Sequence, residues 1–458
     1  MTHSGKPLRR SRVPAGRLER LARFGWLAGE VAVGALAEGV RRVAGAPMHN
    51  IVLTATNAQR LAKRLSGLRG AAMKVGQMLS LQGEALLPPE IAQALAILRA
   101  EADAMPLPQL RRAMGQAYGV GWERRFREFD PAPLAAASIG QVHRARTDDG
   151  RLVALKIQYP GVARSIDSDV QNVATVLRLA RLLPGEVDLS ALLAEAKRQL
   201  RRETDYHVEA AFQERYRALV ADDAAYVVPR VHEDFTTARI LAMDFVDGVP
   251  LEDLCNRASQ AQRDRLGALL YRLVFRELFE FRFIQSDPNF ANYMLLPATE
   301  QLALLDFGGS RDIPAWLAAA YARLCAAGAA GDRTGLRGAL EAVGFLGADE
   351  SAAQVAALVE LFLIGCEPFR HRGRYDFAGS TVPARARDAA VDLAFGKGFV
   401  RPPPPDAVFL QRKLAGTFLL CIQLHARVDV RALLLAALDR GASETAATHG
   451  ATDTPAPR

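Results

Sequence analysis

Along this chain, apolar positions recur first at helical spacing, then in alternation, then at helical spacing again. Leu18, Leu21, Phe24, Val31, Ala35 and Leu36 mark an amphipathic N-terminal helix with Arg17, Arg20, Arg23, Arg41 and Arg42 around it. Its most apolar stretch, residues 25–40, contains Glu30 and Glu38 and falls short of the roughly 20 uncharged residues a spanning helix needs. Such a helix lies on an anionic membrane surface or covers the protein's own core, and the pattern allows both. Residues 57–119 predict short helices, broken at Leu87-Pro88-Pro89 and at Met105-Pro106-Leu107-Pro108. Near Ala136 the period changes, and residues 138–146 and 152–157, joined by Asp148-Asp149-Gly150, predict a β-hairpin. Strands are predicted again at 240–245 and 302–305. From Trp316 the chain is Ala/Leu-rich and helical, interrupted at Arg401-Pro402-Pro403-Pro404-Pro405, and its last dozen residues read as a disordered tail.

A chain of 458 residues, 50% apolar and 24% charged, holds more than one globular unit, so two lobes with accessory helices are expected. Its 36 Gly and 24 Pro exclude collagen-like, mucin-like and wholly disordered classes. Cys255, Cys325, Cys366 and Cys421 stand far apart without a C-x-x-C, which speaks for buried thiols in a reducing compartment rather than disulfides or zinc. Residues 1–50 hold nine Lys/Arg against three Glu, which is +6 of the net +8. The body is therefore near neutral, which argues against a nucleic-acid partner and for a local anionic one. An Arg-rich start also fits a mitochondrial transit peptide, but Glu19 and the early motifs favour an uncleaved bacterial segment.

Three motifs carry phosphoryl-transfer chemistry. A strand ends in Val153-Ala154-Leu155-Lys156, where an ammonium on a rigid strand contacts nucleotide phosphates. Asp287 is followed by Asn292 at D-x-x-x-x-N spacing, which pairs a nucleophile-orienting carboxylate with a metal-binding amide oxygen. Asp306-Phe307-Gly308 then supplies a carboxylate for Mg²⁺. ATP carries about four negative charges, which one Lys and a metal ion must offset before transfer. Three departures accompany the matches. No G-x-G-x-x-G precedes the Lys strand, and an Ala-rich loop, residues 135–141, takes its place and should be stiffer. Gln285-Ser286-Asp287 replaces H-R-D, and no A-P-E follows Gly308, which leaves little room for a peptide-binding activation segment. There is no P-loop motif.

Together with Lys74-Val75-Gly76-Gln77 and Glu203-Thr204-Asp205, these motifs make the sequence resemble the UbiB/AarF (ADCK) family of atypical kinase-like proteins, in its coenzyme Q-associated branch. The resemblance implies an α+β, predominantly helical, atypical protein-kinase-like two-lobe fold with extra N-terminal (K-x-G-Q) and C-terminal helices. It divides the chain into a basic segment 1–47, a K-x-G-Q extension 48–130, an N-lobe 131–247, a C-lobe 248–400, a C-terminal extension 401–442 and a disordered tail 443–458. It implies that Lys156 pairs with Glu209, that Asn292 and Asp306 hold Mg²⁺, and that Asp287 takes the catalytic-loop role. ATP or ADP would be bound by Ala135, Ala136, Ala137, Ser138, Lys156, Met243 and Val246. Lys74 and Gln77 share a helix face near Glu203 and Asp205, where a protein substrate would otherwise dock. Glu203 and Glu209, about 240° apart on one helix, would serve different partners.

The leading reading is an Mg²⁺-dependent ATPase or atypical kinase that supports ubiquinone biosynthesis. It would act at an anionic membrane surface, on a small or lipid-like molecule such as a quinone precursor, beside other biosynthetic enzymes. A nucleotide-responsive scaffold and an orthodox Ser/Thr kinase are the alternatives. The expected location is the cytoplasmic face of a bacterial inner membrane, or the mitochondrion in a eukaryote. Gly25, Gly29, Gly34 and Gly39 would let N-terminal helices associate, which leaves a homodimer open.

Overall fold

The computed structural model describes residues 104–450 apart from 138, 165, 168–169, 172–189, 400 and 402. The basic N-terminal segment, Lys74, Gln77 and Ser138 lie outside the described residues. Contacts divide the chain into two units, one of residues up to Glu214 with Pro229–Val246, the other of Arg215–Val228 with Asp247 onward.

In the first unit, Pro106 and Pro108 open α1 (Leu107–Tyr118), where a missing N–H costs nothing, and Gly119 ends it at φ 88°. Its Leu110, Ala113 and Met114 are buried against the sheet core. The sheet is antiparallel in the order β1 (Phe126–Phe129), β3 (Gly140–Thr147), β4 (Leu152–Gln158), β6 (Ile240–Asp244), with β2 (Ala135–Ala137) added to β3. The expected hairpin is β3–β4. Gly150 turns it at φ 97°, a conformation that favours glycine. Because β4 lies between β3 and β6, its residues from Val153 to Gln158 are buried on both faces.

The alanines expected as a loop form strand β2 instead, with Ala135 opposite Val142, Ala136 opposite Gln141 and Ala137 opposite Gly140. Alanine has little strand preference of its own, so the neighbouring strand decides. The expected single helix through Glu203 and Glu209 is also corrected: α2 (Ser190–Glu203) ends and α3 (Tyr206–Leu219) starts afresh. Asp205 Oδ1 accepts the His207 N–H at 3.0 Å, which caps α3 and breaks the run.

In the second unit, a four-stranded sheet runs β5 (Tyr226–Val227), β10 (Gln301–Leu304), β9 (Tyr293–Leu296), β7 (Val249–Pro250), and β8 (Phe283–Gln285) pairs with β11 (Ser310–Asp312). The β5–β10 pairing explains why Arg215–Val228 belongs here. A Ser259–Gln262 capping box starts α4 (Gln260–Phe275), which continues into a π-helical turn, Arg276–Phe281. Then follow α5 (Ala315–Ala330), α6 (Arg333–Val343), α7 (Ala352–Gly365), α8 (Val382–Val391), α9 (Pro405–Gln423) and α10 (Val430–Gly450), with α9 and α10 both packed on α4. The last helix runs to Gly450, so residues 443–450, expected as disordered tail, are helical; Ala442, Ala446 and Ala447 carry strong helix preference. All four cysteines are free.

Gly140 is required by packing, since a Cβ there would stand 2.3 Å from the Ile157 carbonyl oxygen, a backbone atom with nowhere to go. Gly140→Ala is expected to destabilise the protein by about 1–3 kcal/mol, read as a lower midpoint in urea unfolding.

Candidate active site

The central position of β4 puts Lys156 opposite Val142 on one side and Leu241 on the other. Its Nζ donates to Glu209 Oε1 of α3 at 2.6 Å, with the side chains 7% and 2% exposed. The ammonium also stands 5.5 Å from the centre of the Tyr206 ring. Both charges are out of water, and each offsets the cost of burying the other. On the same strand, Gln158 Nε2 donates to the Thr204 carbonyl at 3.0 Å, tying β4 to the break between α2 and α3. Glu203 is buried at the end of α2, and Asp205 is exposed at its cap position.

Of the other expected nucleotide contacts, Ala135 and Ala136 are exposed on β2, Ala137 is half-buried, and Met243 is buried opposite Ala154 on β6. Val246 is half-buried and is the last residue of the first unit. The sequence reading missed what holds the alanine hairpin. Met105 N–H donates to Gln141 Oε1 at 2.8 Å, Gln141 Nε2 meets His143 Nε2 at 2.6 Å, and His143 Nδ1 meets the Asp130 carbonyl at 2.8 Å. A carbonyl only accepts, so Nδ1 carries the proton and Nε2 accepts from the glutamine. The Gln-x-His spacing on an alternating strand puts both on one face and was the available signal.

In the second unit, the segment after β8 is wound on its own backbone. The Asp287 carbonyl accepts from the Asn289 N–H at 2.8 Å, from Asn292 Nδ2 at 2.8 Å and from Gln285 Nε2 at 3.0 Å. Leu305 N–H donates to the Asn292 carbonyl at 3.0 Å, and Ser286 Oγ donates to the Gly309 carbonyl at 2.6 Å. These bonds bring D-x-x-x-x-N and Asp306-Phe307-Gly308 side by side. Asp306 Oδ1 accepts the Gly308 N–H at 3.0 Å, while Phe307 is buried with its ring 5.0 Å from that of Tyr216.

Asn292 and Asp306 line one small pocket with Tyr216, Gln285, Tyr293 and Lys413. The Asn292 amide nitrogen is committed to a carbonyl, so its oxygen is the atom that can ligate. One amide oxygen and one carboxylate are hard donors of the kind Mg²⁺ takes, the rest of its shell coming from phosphates and water. Among the described residues no group of three or more His, Cys, Asp or Glu is placed to hold a metal. The residues fit a magnesium nucleotide.

Two cations that the sequence reading did not single out come from α9. Arg412 Nη2 donates to Asp287 Oδ1 at 2.7 Å. Lys413 Nζ is 3.0 Å from Glu277 Oε2 and donates to the Gln285 carbonyl at 2.9 Å. Glu277 in turn accepts from Tyr216 Oη at 2.8 Å and from the Gln285 N–H at 2.9 Å. Burial works against the Lys413 ammonium, but Glu277 and Tyr293 outweigh it and hold its pKa above the usual lysine value. Burial, with Glu277 beside it, pushes the Tyr216 hydroxyl well up, so it stays a donor. Glu277→Gln would leave Lys413 buried without its counter-charge and is expected to cost about 3–5 kcal/mol of unfolding free energy, measured in denaturant.

Comparison with known proteins agrees with this geometry. A family model of the ABC1 atypical kinase-like domain matches residues 97–339. The chain is 40% identical over 430 residues to the protein named atypical kinase COQ8B, mitochondrial, of Rattus norvegicus, covering 93% of this chain and 81% of that protein. It is 36% identical over 426 residues to atypical kinase COQ8, mitochondrial, of Saccharomyces cerevisiae, covering 92% and 84%. A solved structure described as the complex of Rv3197 with erythromycin from Mycobacterium tuberculosis superposes with a TM-score of 0.57 at 26% identity, covering 82% of this chain and 94% of that one. The chain therefore belongs to the ABC1 family of atypical kinases, the UbiB/AarF family that its motifs resemble, and has that family's kinase-like α+β fold.

Proposed function

We propose that this protein binds a magnesium nucleotide and transfers its terminal phosphoryl group to water or to a small or lipid-like hydroxyl compound, in support of ubiquinone biosynthesis at a membrane surface. The observation that carries the nucleotide chemistry is the buried Lys156–Glu209 pair at 2.6 Å, which fixes an ammonium on a rigid strand. Lys156 offsets phosphate charge, and Asn292 and Asp306 hold the metal ion. Asp287 orients the attacking oxygen, and Ala135, Ala136, Ala137, Met243 and Val246 line the nucleotide. Bound Mg²⁺ supplies the charge neutralisation that a triphosphate needs.

A peptide substrate fits poorly, because only residues 309–314 separate Gly308 from α5, and three of them are committed to β11. The pathway comes from the resemblance to the coenzyme Q-associated branch. Among the described residues no helix is long and apolar enough to cross a membrane. The Lys/Arg excess of the basic segment 1–47 favours it as the place of a peripheral contact with anionic lipid.

Lys156→Ala and Asp306→Asn are each expected to lower phosphate release from MgATP at least about 100-fold and to abolish the thermal shift caused by MgADP. Turnover at the wild-type rate in either variant would remove the assignment. Asp287→Asn should fail to restore quinone synthesis in a deletion strain; full complementation would favour a scaffold that binds nucleotide without turning it over. Ala137→Gly should loosen β2 opposite Gly140 and change the ratio of ADP to ATP affinity, measured by titration calorimetry.

A further inference from the structure

One element converges on the segment after β8 from more than a hundred residues away. Over a single turn, α9 turns Arg412, Lys413 and Gly416 toward residues 285–288. Arg412 is 4% exposed, and its Nη2 donates to the Asp287 carboxylate at 2.7 Å. Its Nε is buried without a hydrogen-bond partner among the described residues, so its charge is met through Asp287. Next to it, Lys413 Nζ holds the Gln285 carbonyl at 2.9 Å. Gly416 completes the fit, since a Cβ there would stand 2.0 Å from Pro288 Cγ and 2.6 Å from its Cβ. The helix thus bears directly on the ring that follows Asp287, at a distance only glycine permits.

A carboxylate on a loop turns freely about two side-chain bonds, and one pointing the wrong way cannot orient a nucleophile. A buried guanidinium removes that freedom, because its rigid plane directs the single Nη2–H bond that Asp287 Oδ1 accepts, where a lysine would act only as a point charge. We propose that Arg412 is a positioning residue for phosphoryl transfer: it holds the Asp287 carboxylate in its working orientation, while Lys413 and Gly416 set the register of α9 on the loop. This rests on the reading of Asp287 as the carboxylate that orients the attacking oxygen.

The test uses the full chain and follows phosphate release from MgATP together with MgADP affinity. Arg412→Ala is expected to lower kcat about 100-fold while the Kd for MgADP stays within about twofold, since a misplaced catalytic group costs rate rather than nucleotide contacts. Millimolar guanidinium should restore part of that rate in Arg412→Ala and none in Asp287→Asn, a difference that a purely structural role does not produce. Arg412→Lys should fall between Arg412→Ala and wild type. Gly416→Ala, which keeps the arginine but pushes α9 off Pro288, should also lower kcat at unchanged MgADP affinity. Wild-type kcat in Arg412→Ala, or a loss matched by an equal loss of MgADP affinity and not restored by guanidinium, overturns the proposal. Should Arg412→Ala fail to fold, Arg412→Lys and Gly416→Ala decide it, and wild-type kcat in both overturns it. Absence of turnover in the wild-type protein would remove the functional reading itself, whereas turnover that Arg412→Ala shares would remove only this inference.

Discussion

An ammonium enclosed in a β-sheet survives only beside a carboxylate, and this constraint organises the first unit. Lys156 lies on the strand buried on both faces, so Glu209 must reach it, which fixes the rotation of α3 about its own axis. That rotation in turn requires α3 to start where it does, and the Asp205 cap together with the Gln158–Thr204 bond sets the starting point. A helix continuous from Ser190 would have carried Glu209 in another phase. The buried lysine, the helix break and the register of the β3–β4 hairpin are therefore one arrangement seen at three places.

The second unit solves a similar problem with a different set of charges. Glu277 sits in a π-helical turn, where one more residue per turn redirects side chains compared with an ordinary helix. From there its carboxylate collects Tyr216, the Gln285 N–H and Lys413, all under the segment that bears Asp287. Tyr216 of α3, Gln285 of β8 and Lys413 of α9 each reach Glu277 from a different element, which makes the support of the loop a property of the whole unit.

How much of this was legible depended on distance along the chain. The β3–β4 hairpin could be read from alternation and from Asp148-Asp149-Gly150, because strands and turns are local. The spacing from Asp287 to Asn292 and on to Asp306 could be read because one hairpin, β9–β10, joins the two motifs. The strand character of Ala135–Ala137 could not, since it comes from pairing with β3 rather than from alanine. Arg412 and Lys413 looked like ordinary helix charges, and nothing local marks them as partners of residues 125 and 128 positions earlier. The helix break at Thr204-Asp205 was overlooked although an aspartate before a helical run is a common start signal.

The brevity of the stretch between Gly308 and α5 has a consequence for control. Many kinases are governed by a long segment at this place that folds or unfolds when a hydroxyl in it is modified. Here the sole hydroxyl in that stretch belongs to Ser310, which is buried and has its backbone committed to β11. Within this stretch a modifying enzyme finds no exposed hydroxyl, so a switch that folds or unfolds on modification has no purchase between Gly308 and α5.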